Sequence, residues 1–521
     1  MVLFIHLIMK KKNQIFTVLL FLTTLCITAQ PTIEWQKSLG GTGNDYGASI
    51  KQTYDGGYIV GGGSVSNDGN VTGNHGNGDF WIVKLTNIGS VDWQRSLGGS
   101  YSETLRDIKQ TSDSGYIVVG SSESSDGDIT SNYGGSDYWV VKLTSNGSID
   151  WEKNYGGTDD DFAYSIEETV DGGYIIAGHS ISTDGDVIGN HGMKDYWVVK
   201  VDSIGTIDWQ KSLGGSGSDW GYSVKQTNDG GYIVAGFSNS NDNDVTGNHG
   251  NSDCWIVKLS VIGDISWQKS YGGTGGEVLE MIQQTSDGGY ILAASSTSND
   301  GDVGSNYGLY DYWIIKVSSD GTIIWKKPMG GTYFDWVHSI QETTDGGFIV
   351  SGRSSSSDID VTGHHFSYDY WIVKLSTTGN ISWQKSLGGD GADIAYSIQQ
   401  TIDGGYIVAG ASESTNGDVV GNQGFHDYWV VKLSAVIGIN EVAEQNLFSV
   451  FPNPATNQIN VKVDANLIGA VYTVYDNMGK KVLSGKLNTE NTVIELGNLS
   501  GGMYLFSVGE NMQQTFKVVK E

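Results

Sequence analysis

Carboxylates two residues apart recur along the chain as Asp126/Asp128, Asp184/Asp186, Asp242/Asp244, Asp300/Asp302 and Asp358/Asp360, with Asn replacing one member at Asp68/Asn70 and Asn416/Asp418. Hard oxygen donors at this spacing, several with glycine between them, suit calcium as a stabilising ion. The full EF-hand spacing is absent, and Asx-Gly groups are also ordinary turn chemistry in which the side chain caps loop N–H groups. Both readings stand on the sequence. Further acid series are Asp45, Glu103, Asp161, Asp219, Glu277, Asp335, Asp393 and Asp79, Asp137, Asp195, Asp253, Asp311, Asp369, Asp427, and the second is accompanied by Lys84, Lys142, Lys200, Lys258, Lys316, Lys374, Lys432. A lysine repeated inside an apolar strand needs a carboxylate or carbonyl, so the Asp79 and Lys84 series read as structural ion pairs and caps, whereas the Asp45 series, with the Asp-x-Asp pairs, reads as an acidic long-loop face. His75, His191, His249 and His365 share a column with Tyr133, Tyr307 and Gln423, so they form no symmetric metal ring and read as loop hydrogen-bonding groups.

Aromatic chemistry is less regular. Trp220 and Trp336 stand outside the two regular tryptophan columns, and together with Tyr310, Tyr368 and Phe425 they fall in the long-loop regions. Rings exposed there could stack on sugar rings. Arg353 belongs to a column, Gly63, Ser121, His179, Phe237, Ser295, Arg353, Ala411, that varies while its neighbours do not. Trp220, Trp336, Tyr310, Tyr368 and Arg353 are thus the candidate ligand-binding residues, although drift explains the same variation. Catalysis requires an asymmetric acid, base and nucleophile converging on one substrate. Most carboxylates here recur in every unit, arginines are few, and no nucleophile elbow, phosphate loop or zinc signature is present. No catalytic residue is assigned. A noncatalytic binding or adhesion protein is the leading reading, with glycans or surface proteins as partners. A secreted polysaccharide-acting hydrolase or lyase is the alternative.

The elements that position these residues follow from a repeat. Trp35, Trp93, Trp151, Trp209, Trp267, Trp325 and Trp383 lie 58 residues apart, and Trp81, Trp139, Trp197, Trp255, Trp313, Trp371 and Trp429 keep the same period. Each unit reads as four strands, in the first unit Ser49 to Thr53, Tyr58 to Ser64, Phe80 to Leu85 and Val91 to Leu97, with a tight Asp55-Gly56-Gly57 turn. The third strand is apolar on both faces, as required of a sheet packed between two others. The fold expected is all-β: a seven-bladed β-propeller over residues 30–434, closed by an N-terminal strand, Ile33 to Leu39, that completes the last blade after Asp427 to Leu433. Short turns then gather on one face and long loops on the other, the face where binding residues ride.

The 75 glycines among 521 residues fit a turn-rich β protein, while 16 Trp, 27 Tyr and 14 Phe supply too much core for disorder. A net charge of −29 argues against nucleic acid or an anionic membrane as partner. Lys10 to Lys12, the apolar run Ile15 to Ile27 and the Ile27-Thr28-Ala29 site read as a secretory signal peptide over residues 1–29, too short to span a bilayer of roughly 20 helical residues. No transmembrane segment is expected in the mature chain. Cys254 then remains as the one cysteine, leaving no intrachain disulfide.

After Leu433 the period stops. Residues 435–446 read as a linker, and residues 447–521 as a small β-sandwich with strands at Gln458 to Val463, Ala470 to Tyr475, Thr492 to Leu496 and Met503 to Val508. Phe451-Pro452-Asn453-Pro454-Ala455-Thr456-Asn457, Val474-Tyr475-Asp476-Asn477-Met478-Gly479, Leu499-Ser500-Gly501-Gly502-Met503-Tyr504-Leu505 and the basic end at Lys517 and Lys520 resemble the type A sorting domain of the type IX secretion system. The resemblance implies engagement of that machinery by the C-terminal domain and a secreted or outer cell-surface destination. It carries no implication for what the repeats bind.

Overall fold

The computed structural model describes residues 5–11, 14–20, 30–436, 448–463, 467–476, 480–508 and 514–521. The signal-peptide cleavage site and all but the first two residues of the expected linker lie outside these. Ile5–Lys11 pairs with Gln14–Leu20 as an antiparallel hairpin. The chain comprises two compact units, Met1–Ile437 and Gly438–Glu521. Among the described residues all regular elements are strands, apart from one short helical turn after residue 466, and no helix is long and apolar enough to cross a membrane.

The first unit is propeller-like. Each repeat forms a four-stranded antiparallel meander, the first being Asp45–Gln52, Tyr58–Ser64, Asp79–Leu85 and Val91–Leu97. The last set, Asp393–Gln400, Tyr406–Ser412 and Asp427–Leu433, takes Ile33–Leu39 as its fourth strand. First strands begin four residues earlier than expected, at Asp45 rather than Ser49. A β-bulge explains the difference, because the register between first and second strand slips between Gly47 and Ser49 and breaks the alternation that marks a strand.

Neighbouring sheets meet through their third strands, which are buried throughout. Tyr138 stacks on Trp197 of the next sheet with ring centres 4.5 Å apart, and its hydroxyl donates to the Trp197 carbonyl at 2.9 Å. Tyr196 with Trp255, Tyr312 with Trp371, and Tyr370 with Trp429 repeat this contact. Tyr428 of the last sheet makes the same contact to Trp81 of the first, with a 2.7 Å hydrogen bond. The core accordingly runs between sheets: Ile407, Tyr428 and Val430 share a cluster with Ile50, Tyr58 and Trp81.

The third-strand lysines are buried and reach back to the aspartate of the hairpin turn, as in Lys84–Asp55 at 2.8 Å and Lys432–Asp403 at 2.9 Å. That bears out the structural reading of the lysine column. The fourth-strand tryptophans differ from expectation. Except for Trp383 they are only half-buried, because the fourth strand is the outer edge of each sheet. Trp35 instead lies against Gly89 of the next unit, where φ is +77° and an added Cβ would come within 2.7 Å of the indole.

In Gly438–Glu521, Phe448–Phe451, Gln458–Val463 and Asn491–Glu495 form one sheet, and Lys481–Lys486, Val471–Tyr475, Gly502–Val508 and Gln514–Lys520 another. They share a core that includes Ile459, Val474, Ile494 and Phe506. The strands beginning at Phe448, Lys481 and Gln514 were not anticipated, since none of them alternates cleanly.

Removing one inter-sheet indole opens a cavity between two layers, whereas removing a tyrosine hydroxyl deletes one hydrogen bond. Trp371→Ala should therefore lower unfolding free energy by about 3–5 kcal/mol and Tyr370→Phe by about 1 kcal/mol, read from denaturant titrations. Equal losses in the two variants would refute this assignment.

Candidate functional site

The first strand of each sheet pairs with its second strand alone, and consecutive first strands face one another: Ser49 Oγ donates to Asp107 Oδ1 at 2.9 Å, and Ile50 N–H to Ser397 Oγ at 3.3 Å. Between them runs a channel. One cavity of about 310 Å³ is lined from every first strand, by Ala48, Arg106, Tyr164, Tyr222, Glu280, His338 and Tyr396 among others. Each of these seven is the bulged residue of its strand, as the register slips between Leu105 and Asp107, Ala163 and Ser165, or Leu279 and Met281 show. A bulge re-aims its side chain, here toward the axis.

The lining is asymmetric. Arg106 lies 5.2 Å from the Tyr164 ring centre, Tyr164 meets Tyr222 edge-on at 4.7 Å, and His338 packs on Tyr396 at 5.0 Å. Glu280 accepts a 3.0 Å hydrogen bond from Trp336 Nε1. Burial raises the Glu280 pKa to about 7, against the Trp336 hydrogen bond and the attraction of Arg106 and Arg353. Its carboxyl group can thus exchange a proton near neutrality. Burial, reinforced by Arg353 and Arg106, lowers the His338 pKa to about 3, and its Nε2 has no partner. It is a neutral imidazole.

Sequence reading missed this column, although its signal was present: Ala, Arg, Tyr, Tyr, Glu, His and Tyr at one repeat position, beside near-constant neighbours. The residues singled out instead stand close by. Trp220 and Trp336 are not on loops but are the second residues of their first strands, at the long-loop end of the channel. Trp336 pairs in register with Arg353, Tyr310 lies 4.7 Å from Trp336, and the Arg353 guanidinium lies 5.1 Å from Tyr368. Four of the five candidates therefore form one group. Trp220 belongs to another, between His179 at 4.2 Å and Phe237 at 5.8 Å, with Lys194 Nζ 3.6 Å from its ring. Phe425 is 72% exposed on its loop.

The Asp45 and Asp79 columns do not form an exposed acidic face, whereas Asp126, Asp184, Asp242, Asp300 and Asp358 of the Asp-x-Asp pairs are exposed. Asp45, Asp79 and their equivalents are buried. Asp161 Oδ2 accepts from Gly157 N–H at 2.8 Å and Ser182 Oγ at 3.0 Å, and Asp137 Oδ2 accepts from Tyr133 N–H at 2.6 Å, so each acid staples a loop or link to its strand. His75, His191, His249 and His365 hold the same acids through Nδ1 at 2.6–2.9 Å. The Asp-x-Asp pairs act as caps: Asp126 accepts from Ser100 N–H and Asp128 from Gly98 N–H, and Asp184, Asp186, Asp242, Asp244, Asp300, Asp302, Asp358 and Asp360 repeat this. Among the described residues no three His, Cys, Asp or Glu side chains gather as a metal would require. One oxygen of each of these carboxylates is thus engaged with a backbone N–H group.

Residues 449–521 match the family described as the secretion system C-terminal sorting domain. The protein is accordingly one sorted through type IX secretion to the exterior or the outer cell surface. No curated protein matches the chain. Among solved structures it is similar to PorZ, a surface component of the type IX secretion system of Porphyromonas gingivalis (11% identity, TM-score 0.42, 97% of this chain and 61% of that one). It is also similar to the extracellular domain of BT4673 from B. thetaiotaomicron (13%, 0.39, 92% and 56%) and to puromycin hydrolase (10%, 0.43, 82% and 59%). The chain spans less than two thirds of each, and these likenesses concern the fold alone.

Burial raises the pKa values of the inter-sheet acids, to about 7 for Asp137 and Asp311 and to about 6 for Asp161, Asp335, Asp393 and Asp427. Between the unfolded carboxylate range and these values the folded chain binds more protons, so stability falls as pH rises through that window. His179 and His338, both lowered to about 3, oppose this but are outnumbered. Tm should increase from pH 7.5 to about pH 5. A Tm that stays flat or drops over this range would contradict the carboxylate assignment.

Proposed function

With a sorting domain that delivers it to the cell exterior, we propose that this protein is a noncatalytic binding or adhesion module built as a closed seven-bladed propeller, its ligand seated at the long-loop mouth of the axial channel. What carries the reading is the contrast between columns: positions that hold the sheets together repeat almost unchanged, whereas the bulged position facing the axis carries a different chemical group in most units. Trp336, Tyr310, Arg353 and Tyr368 supply aromatic faces and a guanidinium at the rim, and Arg106, Glu280 and the channel tyrosines supply hydrogen-bonding groups below it. Such a site, with aromatic faces at its rim and polar groups converging below, suits a glycan or a protruding segment of a surface protein. The closed ring is supported by the Tyr428–Trp81 contact and by the pairing of Ile33–Leu39 with Asp427–Leu433.

One observation favours the polysaccharide-acting enzyme as a second reading. Glu280, poised near neutral pH beside Arg106, has the character of a general acid. Calcium has the Asp-x-Asp spacing as its support, in competition with backbone capping.

A glycan array separates the first two readings. Wild type is expected to bind, and Trp336→Ala to lose binding at least tenfold, as expected for a lost stacking contact of about 1.5–3 kcal/mol. Equal binding by the variant would remove the rim from the site. Under the enzymatic reading, Glu280→Gln abolishes turnover of the bound polysaccharide while retaining binding, and absence of turnover in the wild type rejects it. For calcium, melts with EDTA decide: capping predicts an unchanged Tm, and a fall restores the ion.

A further inference from the structure

At the opposite, short-turn end the channel opens into a second cavity of about 550 Å³, lined by Lys51, Lys109 and Lys225, which also border the first cavity, and by Glu167, Gln341 and Gln399. These occupy the seventh position of their first strands, five residues and about 16 Å along the strand from the aromatic rim. Elsewhere in that column the side chain has a structural duty. Gln283 accepts from Glu342 N–H at 2.9 Å, Gln341 from Gln400 N–H at 2.6 Å, Gln399 from Gln52 N–H at 2.8 Å and Glu167 from Gln226 N–H at 3.3 Å. Each ties one first strand to the next. An ammonium cannot accept a hydrogen bond, so lysine at 51, 109 and 225 gives up this tie in three of seven places. It also collects cations on the axis of a protein whose net charge is −29.

Two of the three are paired, Lys109 with Asp107 at 2.9 Å and Lys225 with Glu167 at 3.0 Å. Among the described residues Lys51 Nζ has one hydrogen bond, to its neighbour's carbonyl, Ile50 O, at 3.1 Å. Burial and the repulsion of Lys109 and Lys225, against the attraction of Asp107, lower its pKa to about 7. An anion among these ammoniums would relieve the repulsion and supply the missing acceptor.

We propose that the short-turn mouth of the channel is a binding site for a phosphate-class oxyanion, held by Lys51 with Lys109 and Lys225 and independent of the rim around Trp336. The cavity is larger than a bare ion, which leaves room for a sugar-sized body attached to the anionic group.

Calorimetric titration of the full chain with sodium phosphate and with glucose 6-phosphate, at pH 6.5 and constant ionic strength, tests this. Saturable binding is expected, weakened about tenfold or more in Lys51→Gln, as for loss of one charge-assisted hydrogen bond. Glutamine is the residue this column carries at 283, 341 and 399, so the variant should fold, with a melting temperature no lower than wild type as the check. Trp336→Ala should bind both probes like wild type, which keeps this result separate from that of the glycan array. Tighter binding of glucose 6-phosphate identifies a phosphorylated small molecule, and equal binding identifies the free ion. Absence of saturable binding by either probe, or undiminished affinity in Lys51→Gln, would overturn the proposal.

Discussion

Much of the molecule depends on how one tyrosine and one tryptophan on successive third strands meet. The tyrosine ring fills the space beside the indole of the next sheet while its hydroxyl engages that residue's carbonyl, so the contact fixes both the spacing and the height of neighbouring sheets. Where Phe80 or Cys254 stands in place of tyrosine, the hydrogen bond is absent but the apolar packing continues. Because the third strand is buried on both faces, its lysine has no solvent to reach directly and folds back onto the hairpin aspartate. The fourth strand is left as the outer edge, and the first strands are driven together at the axis.

Buried acids are the second constraint. Taking a carboxylate out of water is costly, and this fold does so at every boundary between sheets. The return is that links and long loops, which lack ladder partners of their own, gain acceptors for their N–H groups. Several Oδ1 atoms nevertheless remain without partners, including those of Asp137 and Asp161, and the protonated form is favoured there. The acid excess is therefore partly internal architecture.

Repeat symmetry separates structural from functional positions in a way a single domain does not. A column obeying one rule in every unit answers to packing. One that abandons the rule, as lysine does at 51, 109 and 225, gives up stabilisation, and such losses concentrate where a site is built. The bulged column is the other case, presenting Ala, Arg, Tyr, Glu and His to the channel in different units.

The period, the number of strands per repeat, the pairing of Ile33–Leu39 with the final set, the buried lysine pairs and the C-terminal sorting motifs were all legible in the amino-acid sequence. They rest on local alternation, turn chemistry and spacing, which one chain compared with itself displays. Tertiary structure alone decided where Trp220 and Trp336 stand, which N–H groups the Asp-x-Asp pairs cap, and that Arg106, Glu280, His338 and Tyr396 share a channel. Two physical reasons account for this. A bulge destroys the two-residue period at the position that matters most, and residues many repeats apart become neighbours where first strands of successive sheets meet, a proximity no local pattern encodes.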